Sequence, residues 1–157
     1  MRKVLAIASG GGHWVELARL LPSWDGCHVT YVTTSEEYRQ LMADIARDRG
    51  NPAPCYHVIL EANRWRKSRL AVQLAKIVWI MLKTRPDVVI STGAAPGYFA
   101  LRMGKLLGAR TIWVDSVANA DEMSLSGIRA RPYASLWLTQ WPELAQPDGP
   151  YYRGSVL

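Results

Sequence analysis

Two short glycine-rich segments carry the residues best suited to chemistry in this chain. The first, "IASGGGHWVEL" at 7–17, passes from an apolar run through Ser9, Gly10, Gly11 and Gly12 to His13 and then into a helical pattern. A helix that opens in this way presents backbone N–H groups without helical partners beside the positive end of its dipole, and bare glycines let an anion come close. The expected guest is a phosphate or diphosphate. The second segment, "STGAAPGY" at 91–98, repeats the arrangement with Thr92, Gly93 and Gly97, and its Pro96 suits the first turn of a helix. Glycine also serves tight turns for steric reasons alone, so it is the pair of loops that points to a diphosphate-bearing ligand.

His13 stands where a helix dipole disfavours an imidazolium, leaving a neutral ring able to accept a proton. Two roles fit: a general base for a sugar hydroxyl, or a helix cap and ligand contact. Asp115, in "WVDSVANADEMSLSG", is a second polar group at a strand end. It suits orientation of an acceptor or support of His13, and equally the capping of the next turn. The spacing of the first loop is not GxGxxG, and "VTTS" at 32–35 lacks the carboxylate that would hold a ribose, so a dinucleotide is disfavoured. The pattern GxxxxGK[ST] of the phosphate-loop NTPases is absent as well.

The elements that must position these residues follow from periodicity. Apolar, β-branched runs at 3–8, 28–33, 56–60, 87–91, 111–115 and 135–139 alternate with helical patterns near 14–21, 36–48, 65–84, 97–107 and 121–131. Strands that are almost wholly apolar, alternating with helices, predict a Rossmann-like parallel sheet with helices on both faces. Both glycine loops then fall at carboxyl ends of strands, the edge where such sheets bind ligands. The 157 residues make one domain, 1–157, and a reaction that needs a second domain must borrow it.

Charge is concentrated rather than spread. Of 19 basic residues, seven lie between Arg64 and Arg85 with no acidic residue among them. On the helix predicted there, Arg69, Gln73, Lys76 and Lys83 fall on one stripe, and the remainder is more apolar than docking on a sheet requires. Together with seven tryptophans in the chain, this predicts a helix that touches a membrane surface through Arg64, Trp65, Arg66, Lys67, Arg69 and Trp79, with a partner subunit or plain core packing as the alternatives. Nucleic acid is a poorer match, because apolar surface beside the charge suits lipid better. The longest apolar run, at 70–82, is too short to span a bilayer. Cys27 and Cys55 have no metal-site spacing and read as buried thiols. The short apolar start "MRKVLAIASGGGH" does not read as a secretory signal, so a reducing, cytoplasmic location is expected. No cofactor and no metal are expected.

The motifs "GGGHWVELARLL", "PDVVISTGAAPGYFALRMGKLLGARTIWVDS", "SLSG" at 124–127 and "QWPEL" at 140–144 resemble the asparagine-linked glycosylation protein fourteen family and its bacterial exopolysaccharide counterparts of the PssD type. These form the acceptor-side half of family-B glycosyltransferases. The resemblance implies the N-terminal half of that fold and an enzyme split over two chains. One chain receives a polyprenyl-diphosphate-linked saccharide at the cytoplasmic membrane face, and a small partner binds the UDP-sugar. It further implies that Gly10, Gly11, Gly12, Gly93 and Gly97 hold the acceptor diphosphate and that His13 deprotonates the acceptor hydroxyl. The eukaryotic members carry an amino-terminal membrane helix; this chain begins almost at its first strand, as the bacterial ones do. Gln140, Trp141, Pro142 and Glu143 are the expected partner contact. The rival expectation is a non-catalytic scaffold that anchors a self-sufficient transferase to the membrane.

Overall fold

The structure is a computed structural model that describes residues 1–62 and 67–156. Seven parallel strands form one sheet: β1 (Lys3–Ile7), β2 (His28–Thr33), β3 (Cys55–Val58), β4 (Val88–Ser91), β5 (Arg110–Val114), β6 (Leu136–Thr139) and β7 (Tyr151–Tyr152). The helices are α1 (Gly12–Arg19), α2 (Arg39–Asp48), α3 (Lys67–Thr84), α4 (Ala94–Leu106) and α5 (Leu125–Ala130). The strand order is β3-β2-β1-β4-β5-β6-β7, which reverses direction between β1 and β4. That crossover is the switch point at which doubly wound sheets open a crevice for ligands.

The apolar character of β1 follows from its place in the middle of the sheet. Leu5 and Ile7 face a core shared with Ile77, Ile80, Met81, Leu101 and Trp113, whereas Val4, Ala6 and Ala8 face a second core with Trp14, Leu17, Trp24 and Met42. Both faces are thus covered by helices, as predicted. The strand boundaries agree with the sequence reading to within about two residues. The helices α1 and α4 start earlier than their apolar periodicity suggests, because glycine turns rather than apolar residues open them. Gly11 precedes α1 at φ 76° and Gly93 precedes α4 at φ 147°, conformations that L side chains rarely adopt.

On α3 the inward face is Gln73, Ile77, Ile80 and Met81, at spacings of four, three and one. Gln73 therefore does not belong to the exposed stripe expected from the sequence. It is buried, and its amide donates to the carbonyl of Leu60 at 2.8 Å, so a core position is filled by a polar group with a partner waiting. The outward face keeps its mixed character: Arg69, Lys76 and Lys83 are exposed, and Val72, Trp79 and Leu82 remain 57%, 51% and 51% accessible. Arg64, Trp65 and Arg66 lie outside the described residues. The thiols differ from expectation too, since Cys27 is half-buried and Cys55 exposed. Among the described residues, no helix is long and apolar enough to cross a membrane.

Candidate functional site

The two glycine loops meet at the switch point, and His13 joins them. Its Nδ1 lies 3.1 Å from the carbonyl oxygen of Thr92, and the Thr92 hydroxyl donates to the carbonyl of His13 at 2.6 Å. A carbonyl only accepts, so Nδ1 carries the proton and Nε2 is the basic nitrogen of the neutral ring. Gly93 lets the ring in: a Cβ built there would sit 2.4 Å from the imidazole.

This geometry divides the expected diphosphate ligands into two groups. In the first loop Gly11 and Gly12 are exposed, and a Cβ at either would meet nothing within 4 Å, so the space beside them is open. The first-turn N–H groups of Gly12 and His13 have no helical acceptor, and α1 carries no acidic residue in its first turn to compete for them. The N–H of Gly10 is already taken by the Thr34 hydroxyl at 2.9 Å. Ser9 is half-buried at the start of the same turn.

The second loop works differently from its first reading. Thr92 is buried and holds His13, the N–H of Gly93 is taken by the Ser91 hydroxyl at 3.2 Å, and Gly93 itself faces the imidazole. Gly97 is buried against the sheet, where a Cβ would stand 1.9 Å from the Ser91 hydroxyl and 3.3 Å from the Trp113 ring. Within the chain these three residues seat the histidine and pack α4 on the sheet.

Asp115 is 1% exposed and its carboxylate is fully engaged within the protein. Oδ1 accepts from the Trp113 indole at 2.9 Å and the Ser124 hydroxyl at 2.6 Å, and Oδ2 accepts from Asn119 at 3.1 Å and the Ser124 backbone N–H at 2.8 Å. Ser124 in turn caps α5 by accepting from the Gly127 N–H at 2.9 Å. The "SLSG" motif is thus a helix cap bolted to a strand-end carboxylate. Both oxygens of Asp115 are thus engaged in holding this loop.

Gln140 also moves from the surface to the interior. It is 3% exposed; its amide nitrogen donates to Glu16 Oε2 and to the Asp115 carbonyl, both at 2.9 Å, and its oxygen accepts from the Val156 N–H at 2.9 Å. It therefore cannot offer a partner-binding surface, whereas Pro142 and Glu143 are exposed and Trp141 is half-buried with its indole on the Val117 carbonyl at 2.7 Å.

Glu16, 4% exposed, escaped the sequence reading. Three residues after His13, it accepts from the Ser116 hydroxyl at 2.7 Å as well as from Gln140. One helix thus carries both the histidine and the carboxylate that fixes that helix to the ends of β5 and β6. The signal available in the sequence was a lone acidic residue on the apolar side of "HWVELARLL", a position that demands partners when buried.

On α3, Trp79 packs against the His57 ring at 6.0 Å, edge to face, with the Lys83 ammonium 4.8 Å from its own centroid. Burial, then Lys83, Lys76 and Arg39, lower the pKa of His57 below its usual 6.5.

No protein-family model matches the chain. Among curated proteins, the UDP-N-acetylglucosamine transferase subunit ALG14 of Yarrowia lipolytica is 28% identical over 163 residues, which covers 92% of this chain and 76% of that protein. The mouse (Mus musculus) subunit of the same name is 26% identical over 171 residues, 92% of this chain and 77% of its own. This supports the expected likeness to that family over most of the chain; neither name bears on the bacterial exopolysaccharide type. Among solved structures, Acinetobacter baumannii MurG superposes with a TM-score of 0.71 at 14% identity, covering 99% of this chain and 46% of MurG. The Methanocaldococcus jannaschii UDP-GlcNAc 2-epimerase bound to UDP-GlcNAc and UDP gives 0.61 at 16% identity, over 88% of this chain and 40% of the enzyme. The chain spans less than half of either solved structure, and the likeness shows the fold: the parallel, doubly wound domain expected from the sequence.

Proposed function

We propose that the chain, a single domain over 1–157, is the acceptor-binding, membrane-associated subunit of a two-component inverting glycosyltransferase. Its reaction transfers a sugar from a UDP-sugar to a polyprenyl-diphosphate-linked saccharide in polysaccharide or oligosaccharide biosynthesis. The reading rests above all on His13, whose Nδ1 is held at 3.1 Å by Thr92 so that Nε2 is the base, beside the open Gly11–Gly12 turn. In the reaction, Nε2 takes the proton of the acceptor hydroxyl as that oxygen attacks the anomeric carbon. The bond to UDP breaks with its electron pair on the leaving phosphate, and a single displacement inverts the centre. The diphosphate of the acceptor rests on the first-turn N–H groups of Gly12 and His13, where the helix dipole favours negative charge.

The relatives' name favours N-acetylglucosamine as the sugar transferred. The relatives' name as a transferase subunit supports a heterodimer with a small donor-binding subunit, for which exposed Pro142 and Glu143 are our candidate contacts. The outward face of α3, with Lys67, Arg69, Lys76, Trp79 and Lys83, would hold the subunit peripherally to the cytoplasmic face of the membrane. Each basic residue near an anionic surface contributes about 1 kcal/mol.

The test is reconstitution of the chain with its donor-binding partner on membranes containing polyprenyl-diphosphate acceptors, followed by transfer of radiolabel from UDP-N-acetylglucosamine. His13→Ala should lower turnover by about 10²- to 10⁴-fold without dissolving the heterodimer. Undiminished transfer by that variant would leave the chain a scaffold for a self-sufficient partner.

A further inference from the structure

The rim of the sheet opposite the glycine loops carries a cleft of about 680 Å³ at the amino ends of β1, β4 and β5. That volume lies in the range of small-molecule sites, roughly 300–1,000 Å³. Arg2, Arg85 and Arg110 line it, each exposed and each supplied by a different segment of the chain, with Asp87 the one acidic residue among its walls. The backbone beneath them is held firmly: Asp87 N–H donates to the Lys3 carbonyl and Arg110 N–H to the Asp87 carbonyl, both at 2.9 Å, while the Asp87 carboxylate accepts the Lys3 N–H at 2.8 Å. Among the described residues, none of the three guanidinium groups forms an ion pair or a side-chain hydrogen bond. The carboxyl ends of α3 and α4 lie at the same rim and attract cations in a general way, yet no guanidinium bonds to their carbonyls.

Arg85 adds a second observation. It stands at φ 44°, directly after α3, where its N–H closes the helix on the Met81 carbonyl at 2.9 Å. Glycine is the usual occupant of such a left-handed cap, and a long side chain there costs about 1 kcal/mol. The strain places a guanidinium on the cleft. Leu82 and Leu107, 51% and 42% exposed, give the cleft apolar shoulders.

We propose that this cleft is a second anion site, independent of the glycine loops, that takes a phosphate-bearing ligand with an apolar portion resting on Leu82 and Leu107. Guanidinium groups match phosphate oxygens in pairs, and three of them against one carboxylate leave a net positive site. A soluble phosphate compound and the headgroup of a phospholipid share this chemistry.

Two probes separate these sources. Inorganic phosphate is titrated into the full chain by calorimetry, and the chain is co-sedimented with phosphatidylcholine vesicles with and without phosphatidic acid. Arg110→Gln and Arg85→Gly should each weaken binding of the responding probe by about tenfold or more. Because glycine suits the backbone at 85, Arg85→Gly should melt at or above the wild-type temperature, so loss of binding cannot be assigned to unfolding. A response to phosphate identifies a soluble ligand, and a response confined to phosphatidic acid identifies a lipid headgroup. The proposal is overturned if neither probe binds, or if both bind the arginine variants as tightly as the wild type.

Discussion

His13 and Thr92 hold each other reciprocally across the switch point, each side chain on the other's backbone: Nδ1 sits 3.1 Å from the Thr92 carbonyl, and the Thr92 hydroxyl returns a 2.6 Å bond to the His13 carbonyl. The start of α1 and the turn after β4 are thereby one unit, although 79 residues separate them. The carbonyl sets the tautomer of the ring and the hydroxyl sets the position of the helix. Loss of each should have a different signature. Thr92→Val keeps the carbonyl and the side-chain shape; it should cost about 1 kcal/mol of stability and leave kcat within a few-fold of wild type. Denaturant unfolding and steady-state transfer measured on the same preparations would check both halves.

Gly93→Ala attacks the same unit from the other side. Its Cβ would lie 2.4 Å from the His13 ring, which must then leave its seat. The fold should survive with a loss of about 1–3 kcal/mol, since φ 147° strains any side chain, while kcat falls about as far as in His13→Ala. Wild-type turnover by a folded Gly93→Ala subunit would show that the seat of His13 does not matter for transfer.

Asp115→Asn distinguishes a chemical from a positioning role. All four bonds to the carboxylate come from donors, so an amide turns an N–H₂ toward at least one of them. The expected result is a stability loss of about 2–3 kcal/mol from the β5–α5 loop, with the transfer rate per folded molecule changed far less than in His13→Ala. A rate loss equal to that of His13→Ala, at wild-type stability, would restore a direct part in the chemistry.

The alternation of elements and the place of both glycine loops were legible because they depend on local periodicity and turn chemistry. The place of His13 at the start of the first helix was legible as well, because it follows directly on the three glycines that open that helix. The direction of the second loop was not. Whether Gly93 and Gly97 face a ligand or a neighbouring side chain depends on what the crossover brings alongside, here His13 and Ser91. Gln140 was expected at a partner contact because it lies near the carboxyl end, and only tertiary structure shows that Glu16, the Asp115 carbonyl and Val156 draw it inward. Gln73 shows the limit of helical spacing, because the residues on either side of an inward stripe differ by a small rotation and the Leu60 carbonyl, which accepts from the Gln73 amide, lies on the inward side.

His57 gives a pH dependence whose sign can be worked out. Its folded pKa is lowered below 6.5 by burial and by Lys83, Lys76 and Arg39, so the unfolded chain binds the proton more readily. Stability should therefore rise with pH through the window below 6.5, with the contribution fully present above it and lost as pH falls through the folded value. In an NMR titration the His57 midpoint should lie below 6.5 and shift upward in Lys83→Gln. That variant also strips Trp79 of the ammonium 4.8 Å from its ring, so binding to anionic vesicles should weaken together with the shift. A midpoint unmoved by Lys83→Gln would refute the electrostatic coupling of this patch.

Gln140 offers the sharpest test of the buried network that fixes α1. Its amide donates to Glu16 and to the Asp115 carbonyl, and its oxygen receives the N–H of Val156, so a single side chain ties the tail to the helix that bears His13. Gln140→Glu preserves the shape but sets a carboxylate against that of Glu16 in a site 3–4% exposed. Two buried carboxylates in contact cannot both ionise cheaply, so the pair retains a proton that the unfolded chain releases near pH 4. The folded pKa is thus raised; the variant should be most stable in acid and lose stability, relative to wild type, by about 2–4 kcal/mol as pH rises through neutrality. Thermal melts from about pH 4 to 8 would show the divergence, and hydrogen exchange at the Val156 amide would report whether the tail detaches with it. Parallel melting curves for variant and wild type across that range would mean that Gln140 is not the link between Glu16 and the tail.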